Sequence, residues 1–297
     1  MHTTRSGYIA ILGRPNVGKS TLLNRVLGQK ISITSRKPQT TRHRIVGIKT
    51  TANTQAIYVD TPGLHKKAGR AINRYMNRAA LATIEDVDLV IVVVAGTTLA
   101  EEDHLVIEKL PANTGPVILA VNKIDNVPDK KRLLPFIEAL DKTKKFAHIV
   151  PISARTGEGI GKLESLVESL LPQGPFLFPG DQITDRSERF LSAELVREKL
   201  MRRLGDELPY SLTVEIEEFF DKNGITHITA VIWVESVGQR GIVIGGEGHV
   251  LKEAGRQARL DMEQMFGRKV FLRLWVKVKE GWADSERSLQ LLGYNEI

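Results

Sequence analysis

Gly13-Arg14-Pro15-Asn16-Val17-Gly18-Lys19-Ser20 is the stretch that decides the fold. It follows the apolar run 8–12 and precedes Thr21-Leu22-Leu23-Asn24-Arg25-Val26-Leu27, which reads as a helix. Strand, glycine loop and helix form the setting that the G-x-x-x-x-G-K-[ST] phosphate loop requires. Its glycines let the backbone curl until several N–H groups point into one concavity, and the helix N-terminus adds partial positive charge. Lys19 would then reach the outer phosphates of a nucleotide, and Ser20 would hold Mg2+. The bland alternative is a glycine turn before a helix.

Outward from this loop, strands and helices alternate. Residues 44–51 and 55–59 read as adjacent strands, the second ending in Asp60-Thr61-Pro62-Gly63. Residues 71–84 carry a helical apolar face, and 89–95 form a strand that is apolar on both sides, as a parallel sheet under helices requires. A helix over 100–110 and a strand over 117–121 follow, the strand running into Asn122-Lys123-Ile124-Asp125. After them come a helix near 131–140, a strand near 148–152, Ser153-Ala154-Arg155 and a helix over 160–170. The pattern predicts an α/β domain, an open and mostly parallel sheet with helices on both faces. Its motifs fall at the carboxyl ends of strands, where such sheets bind ligands.

Each motif has a chemical reading. Asp60 at a strand end suits a Mg2+-linked carboxylate, and the Gly63 N–H suits a γ-phosphate; a simple D-x-P-G turn is the alternative. The order of phosphate loop, threonine, D-x-x-G, N-K-x-D and S-A resembles the motif set of a P-loop GTPase domain. Asp125 would accept hydrogen bonds from the N1–H and 2-amino group of guanine, a pair of donors that adenine lacks. Asn122 and Lys123 would tie the loops, and Ser153-Ala154 would offer an N–H to the guanine carbonyl.

The string from Gly13 through Asn24, with Gln39-Thr40-Thr41-Arg42 and Asp60-Thr61-Pro62-Gly63-Leu64, resembles the Era branch of translation-factor-related GTPases. The resemblance implies GTP and GDP as ligands, Mg2+ held by Ser20, Thr41 and Asp60, and catalytic roles for Lys19, Thr41 and Gly63. Thr40 is the alternative to Thr41. Residues 30–44 and 61–70 would be switches ordered by GTP. Leu64 stands where Ras-type enzymes place a water-orienting glutamine, so intrinsic hydrolysis is expected to be slow. Asn16 has two readings, a ligand to K+ or a residue that stabilises its loop.

Composition narrows the setting. The chain has no cysteine and no metal-ligand spacing among its seven histidines, which excludes disulfides and cysteine-held zinc and fits a reducing, cytoplasmic site. No apolar run approaches a membrane span. The net charge of +7 is uneven: residues 1–180 carry 25 basic and 15 acidic side chains, whereas 181–297 carry 17 and 20. A nucleic-acid partner of the second half would therefore need a local basic face.

The prolines and glycines of 171–180 read as a semi-rigid linker, giving expected boundaries of 1–171, 172–186 and 187–297. Beyond them come a helix over 187–204, strands from 212 and over 225–235, the glycine stretch 242–250, a helix to about 266, a strand over 270–278 and a short helix over 284–292. That order resembles an α+β KH domain of the bacterial type, with Gly245-Gly246-Glu247-Gly248 as the G-x-x-G loop that clamps single-stranded RNA. Gly245, Gly246 and Gly248 would let the backbone approach the sugar-phosphate. Lys252, Arg256 and Arg259, at helical spacing, would neutralise phosphates, although an ordinary solvated face explains them too. Glu247 is an unfavourable charge for such a loop. In the last strand Phe271, Arg273, Trp275, Lys277 and Lys279 share a face; they could stack bases, but burial of Trp275 under the C-terminal helix is the preferred expectation. The resemblance implies a monomer acting on small-subunit rRNA and the assembling small subunit. Association with the inner face of the cell membrane, and docking on a protein instead of RNA, stay open.

Overall fold

The computed structural model describes residues 4–294 except 36, 38, 64–68, 86, 112–113, 144 and 206–207. Leu64, on which the expectation of slow hydrolysis rests, lies outside the described residues.

Six strands build the first sheet: β1 (Arg5–Leu12), β2 (Ile45–Thr50), β3 (Thr54–Asp60), β4 (Leu89–Ala95), β5 (Val117–Asn122) and β6 (His148–Pro151). Their spatial order is β2-β3-β1-β4-β5-β6, and every pairing except β2 with β3 is parallel. Successive side chains of a strand point to opposite faces, so the apolar runs feed two cores. Ile9, Ile11, Ile91 and Val93 pack with Leu22 and Leu23 of α1 (Lys19–Leu27) and Leu163 and Val167 of α5 (Ile160–Leu170). Ala10, Leu12, Val92 and Leu119 face the other way. They meet Ala80 of α2 (Ala71–Glu85), Val106 of α3 (Glu101–Glu108) and Leu140 of α4 (Leu133–Asp141). The loops after β1, β3, β5 and β6 collect at one edge of the sheet, around the point where strand order reverses between β1 and its neighbours.

Residues 172–186 run along that sheet rather than hanging free. The Gln55 amide, fully buried, donates to Phe178 O and accepts from the Leu177 and Phe178 N–H groups, while Phe178 packs on Val46 and Ile57.

The second sheet has the order β7-β8-β9, formed by β7 (Leu212–Lys222), β8 (Ile225–Val234) and β9 (Lys269–Val278), with β8 and β9 parallel. Helices α6 (Glu188–Arg203) and α8 (His249–Phe266) cover one face. A helix absent from the sequence reading, α7 (Val237–Ile244), precedes the glycine loop. Ser236 caps it by accepting from the Gln239 N–H, so the S-x-x-Q string 236–239 is its available mark.

One expectation is corrected. Trp275 is not covered by the C-terminal helix; it is 53% exposed on the outer face of β9. The buried tryptophan is Trp282, which has left the sheet. Together with Leu289 of α9 (Glu286–Leu291) and Tyr294, it packs on Ala71, Ile72, Tyr75 and Met76 of α2. The C-terminal helix thus has its apolar partners on the first domain and none to offer Trp275. Among the described residues, no helix is long and apolar enough to cross a membrane.

Candidate functional site

The loop after β1 is shaped by close approaches. Gly18 has φ 106°, and a Cβ there would sit 2.3 Å from Asn122 Nδ2. Gly63 lies against the loop from the other side, where a Cβ would meet Pro15 N at 2.8 Å. Val17 anchors the loop in the core, and Arg14 pairs at 3.1 Å with the buried Asp103 of α3. Lys19 opens α1 and spans the loop, donating to Gly13 O at 2.9 Å and Arg14 O at 3.0 Å. Burial lowers its pKa to about 8, against the opposing attraction of Asp60 and Asp103. A cleft of about 360 Å3 opens here, lined by Asn16, Lys19, Ser20, Thr21, Gly63 and Lys123 among others. A concavity with a buried ammonium at a helix N-terminus suits a polyphosphate.

Beside Lys19 lies a set of oxygen ligands. Ser20 Oγ donates to Asp60 Oδ2 at 2.7 Å and is 2.8 Å from Thr41 Oγ1, while Ser32 Oγ donates to the same carboxylate oxygen at 2.9 Å. The other oxygen, Asp60 Oδ1, is buried with no hydrogen-bond partner. Burial raises the Asp60 pKa, resisted by the Ser20 hydrogen bond and the Lys19 charge. A carboxylate oxygen left idle next to two hydroxyls fits a hard divalent cation such as Mg2+, which takes oxygen ligands from few protein groups. Between the two threonines the structure makes a choice of place. Thr41 meets Ser20, whereas Thr40 Oγ1 turns back to Lys37 O at 2.7 Å. Thr61 Oγ1 donates to Ile11 O at 3.0 Å, and Pro62 is buried beside it.

Three loops are knotted on the opposite side of the cleft. Asn122 Nδ2 donates to Val17 O at 2.8 Å, and Asn122 Oδ1 accepts from the Ala154 N–H at 2.9 Å. Lys123, at φ 64°, donates to Asn16 O at 2.6 Å. Asp125 is oriented by Ser153 Oγ, 2.7 Å from Oδ1, and its Oδ2 lies 2.8 Å from a guanidinium nitrogen of Arg155. The N–H groups of Ser153-Ala154 are both engaged, with Glu158 O and Asn122 Oδ1, so this pair ties the loops and reaches a base carbonyl only by sharing the Ala154 proton. Arg155, which the motif reading passes over, has a largely exposed side chain.

A family model described as "50S ribosome-binding GTPase" matches residues 8–123, and one described as "KH domain" matches residues 207–283. The GTPase Era of Pseudomonas syringae pv. tomato is 58% identical over 294 residues, covering 99% of this chain and 98% of that protein. The chain belongs to the Era family of GTPases. Two solved structures of the family superpose on it. A single-substitution variant of Aquifex aeolicus Era bound to GDP and AlF4− gives a TM-score of 0.95 at 38% identity, covering 98% of this chain and 99% of that one. Era in complex with MgGDPNP and nucleotides 1506–1542 of 16S ribosomal RNA gives 0.94 at 39% identity, with the same coverage.

In the second domain of this Era-family chain, the glycine loop and the three cations meet in one groove. Gly245 and Gly248 both have φ 75°, and a Cβ on Gly245 would lie 2.5 Å from Val250 Cγ2. Glu247 adopts φ 52° between them without being a glycine. Gly248, Lys252, Arg256 and Arg259 line the groove with Leu272 and Leu274 of β9, while Gly246 is exposed to solvent and is not part of that lining. Arg256 is held by Glu253 at 2.7 and 2.9 Å, and Arg259 by Glu263 at 2.9 Å. Hydrogen bonds from Arg256 hold the Glu253 carboxyl near a pKa of about 2.

Sequence patterning gives no sign of the contact between the domains. Segment 30–44 lies against α6: the Thr34 N–H donates to Glu198 Oε1 at 2.9 Å, Arg197 donates to Thr40 O at 2.5 Å, and Lys30 pairs with Asp261 of α8 at 3.0 Å. Arg42, fully buried, donates to Leu212 O at 2.8 Å.

Proposed function

We propose that the chain is a GTP-hydrolysing switch whose second domain binds single-stranded small-subunit rRNA during assembly of that subunit. The observation that carries this reading is the contact of segment 30–44, whose Thr41 lies beside Ser20 and Asp60, with α6, the helix that also packs against α8 and its groove-lining cations. Support comes from the family's solved complex with MgGDPNP and a 16S rRNA segment.

In this reading Asp125 selects guanine, Lys19 and the loop N–H groups hold the phosphates, and the Gly63 N–H meets the γ-phosphate. Ser20, Thr41 and Asp60 would hold Mg2+, which neutralises charge on the β- and γ-oxygens when bound. A water attacks the γ-phosphorus, the bond from that phosphorus to the β–γ bridging oxygen breaks, and GDP and phosphate leave. The protein's part is positioning and electrostatics. With leucine rather than glutamine after Gly63, no side-chain amide orients that water from position 64, so it is left to the backbone or a partner, which supports a slow intrinsic rate. On the second domain, Gly245, Gly246 and Gly248 admit the RNA backbone, and Lys252, Arg256 and Arg259 meet its phosphates.

The test is binding of single-stranded rRNA fragments as salt is raised. A steep fall of affinity with salt supports phosphate contacts. Absence of binding at low salt would instead favour a domain that docks on protein.

A further inference from the structure

Arg197 and Glu194 sit one turn apart on α6 and are both buried. Glu194 grips the guanidinium with both oxygens, at 2.7 Å to Nε and 2.6 Å to a terminal nitrogen. Such a fork fixes the plane of the group, so its remaining donors point where the helix aims them. The same terminal nitrogen donates to Thr40 O at 2.5 Å. On the far side of Thr41, the Arg42 guanidinium reaches Leu212 O at 2.8 Å. The residue whose hydroxyl lies 2.8 Å from Ser20 Oγ is therefore pinned to the second domain through both of its neighbours.

We infer that Arg197 is a positioning residue for GTP hydrolysis: it holds the Thr40 carbonyl so that the Thr41 hydroxyl stays in the Mg2+ ligand set. The inference rests on the reading of Thr41 given above. Stability alone does not account for the pair, because burying both charges carries a desolvation cost that their attraction only about offsets. An apolar pair would fill the space at least as well; it would not hold a carbonyl. Lysine would not serve either, since a single ammonium cannot grip Glu194 in a fork and donate to Thr40 O in the same geometry. The second domain thereby completes the nucleotide site of the first, and a movement of α6 is felt at Thr41.

The experiment uses the full chain and fluorescent GDP and non-hydrolysable GTP analogue, with Mg2+ and with EDTA. The variants are the charge-removing double change Glu194→Gln/Arg197→Gln, Arg197→Lys, Thr41→Ala, and the last combined with each. Losing one charge-assisted hydrogen bond predicts about a tenfold drop in the Mg2+-dependent preference for the GTP analogue over GDP, with GDP affinity unchanged. Because Arg197 acts through Thr41, its substitution on top of Thr41→Ala should add nothing, a coupling that a merely structural role would not produce. An unchanged preference in Arg197→Lys, or losses that simply add, would overturn the inference. Arg197→Lys carries the test even where the double change fails to fold. If Thr41→Ala itself keeps the preference, the reading of Thr41 falls and takes the inference with it; if only the Arg197 variants keep it, the inference falls alone.

Discussion

The Thr34 N–H donates to Glu198 Oε1 at 2.9 Å, across the boundary between the nucleotide domain and α6. The Glu198 side chain is fully buried, and its second oxygen takes the Lys30 ammonium at 2.5 Å. One carboxylate thus holds two points of the segment expected to switch. Glu198→Ala should cost about 1–3 kcal/mol, since it leaves the Thr34 N–H without its acceptor and takes one of two carboxylates from Lys30, which keeps Asp261. Amide exchange around Thr34 should rise together with that loss. In Glu198→Gln, Thr34 regains protection while Lys30 keeps only its pair with Asp261. Exchange that is unchanged in Glu198→Ala would show that the segment is held elsewhere.

Lys19 gives the nucleotide-free protein a distinctive pH dependence. Its pKa falls from 10.5 to about 8 on folding because burial penalises the ammonium. Between those values the unfolded chain binds the proton more tightly, so stability rises with pH across this window. The cost of burying the charge is fully present below pH 8 and comes to about 3 kcal/mol. Lys19→Met should therefore be the more stable protein at pH 7, with the gap closing toward pH 10. Urea unfolding of nucleotide-free protein across that range measures it, and a gap independent of pH would refute the assignment.

Asp125 and Arg155 predict opposite outcomes from neighbouring positions. Asp125→Asn removes the acceptor pair for guanine, so GTP affinity should fall about a hundredfold or more while xanthosine triphosphate binds better. Arg155 meets Asp125 from the solvent side, where an exposed ion pair contributes little. Arg155→Ala should change GTP affinity less than about threefold. Competition binding with both nucleotides separates the cases, and unchanged GTP affinity in Asp125→Asn would remove the base-reading role.

How much of this is legible depends on whether neighbours in space are neighbours in sequence. The runs at 89–95 and 117–121 announce buried strands because both faces are apolar, and each motif at a strand end needs only local context. Helix α7 is hidden by Gly238 and Gly241 within eight residues, despite its Ser236 cap. Trp275 and Trp282 stand seven residues apart, and nothing local says which one the fold buries. The α6 contact is hidden most completely. Glu194, Arg197, Glu198 and Lys199 look like the solvated side of a helix, since charged residues are seldom fully buried unless paired, and beyond the Glu194–Arg197 pair itself the groups that hold them lie more than 150 residues earlier or some 60 later in the chain.

Glu247 offers a test of the RNA groove that separates backbone from charge. Its φ of 52° is left-handed, a conformation that costs a side-chain-bearing residue about 1 kcal/mol and glycine almost nothing. Glu247→Gly relieves that strain but loosens the unfolded chain, so its stability should change by less than about 1 kcal/mol. If the loop faces RNA phosphates as proposed, removing its carboxylate should raise affinity for single-stranded RNA at low salt by about three- to tenfold. Glu247→Gln keeps the backbone as it is and should deliver the same RNA gain. Arg256→Ala works in the other direction, weakening binding and lowering the salt slope by about 0.7 for its one phosphate. A gain in Glu247→Gly that Glu247→Gln does not share would place the effect in the backbone, and a salt slope untouched by Arg256→Ala would remove that arginine from the RNA path.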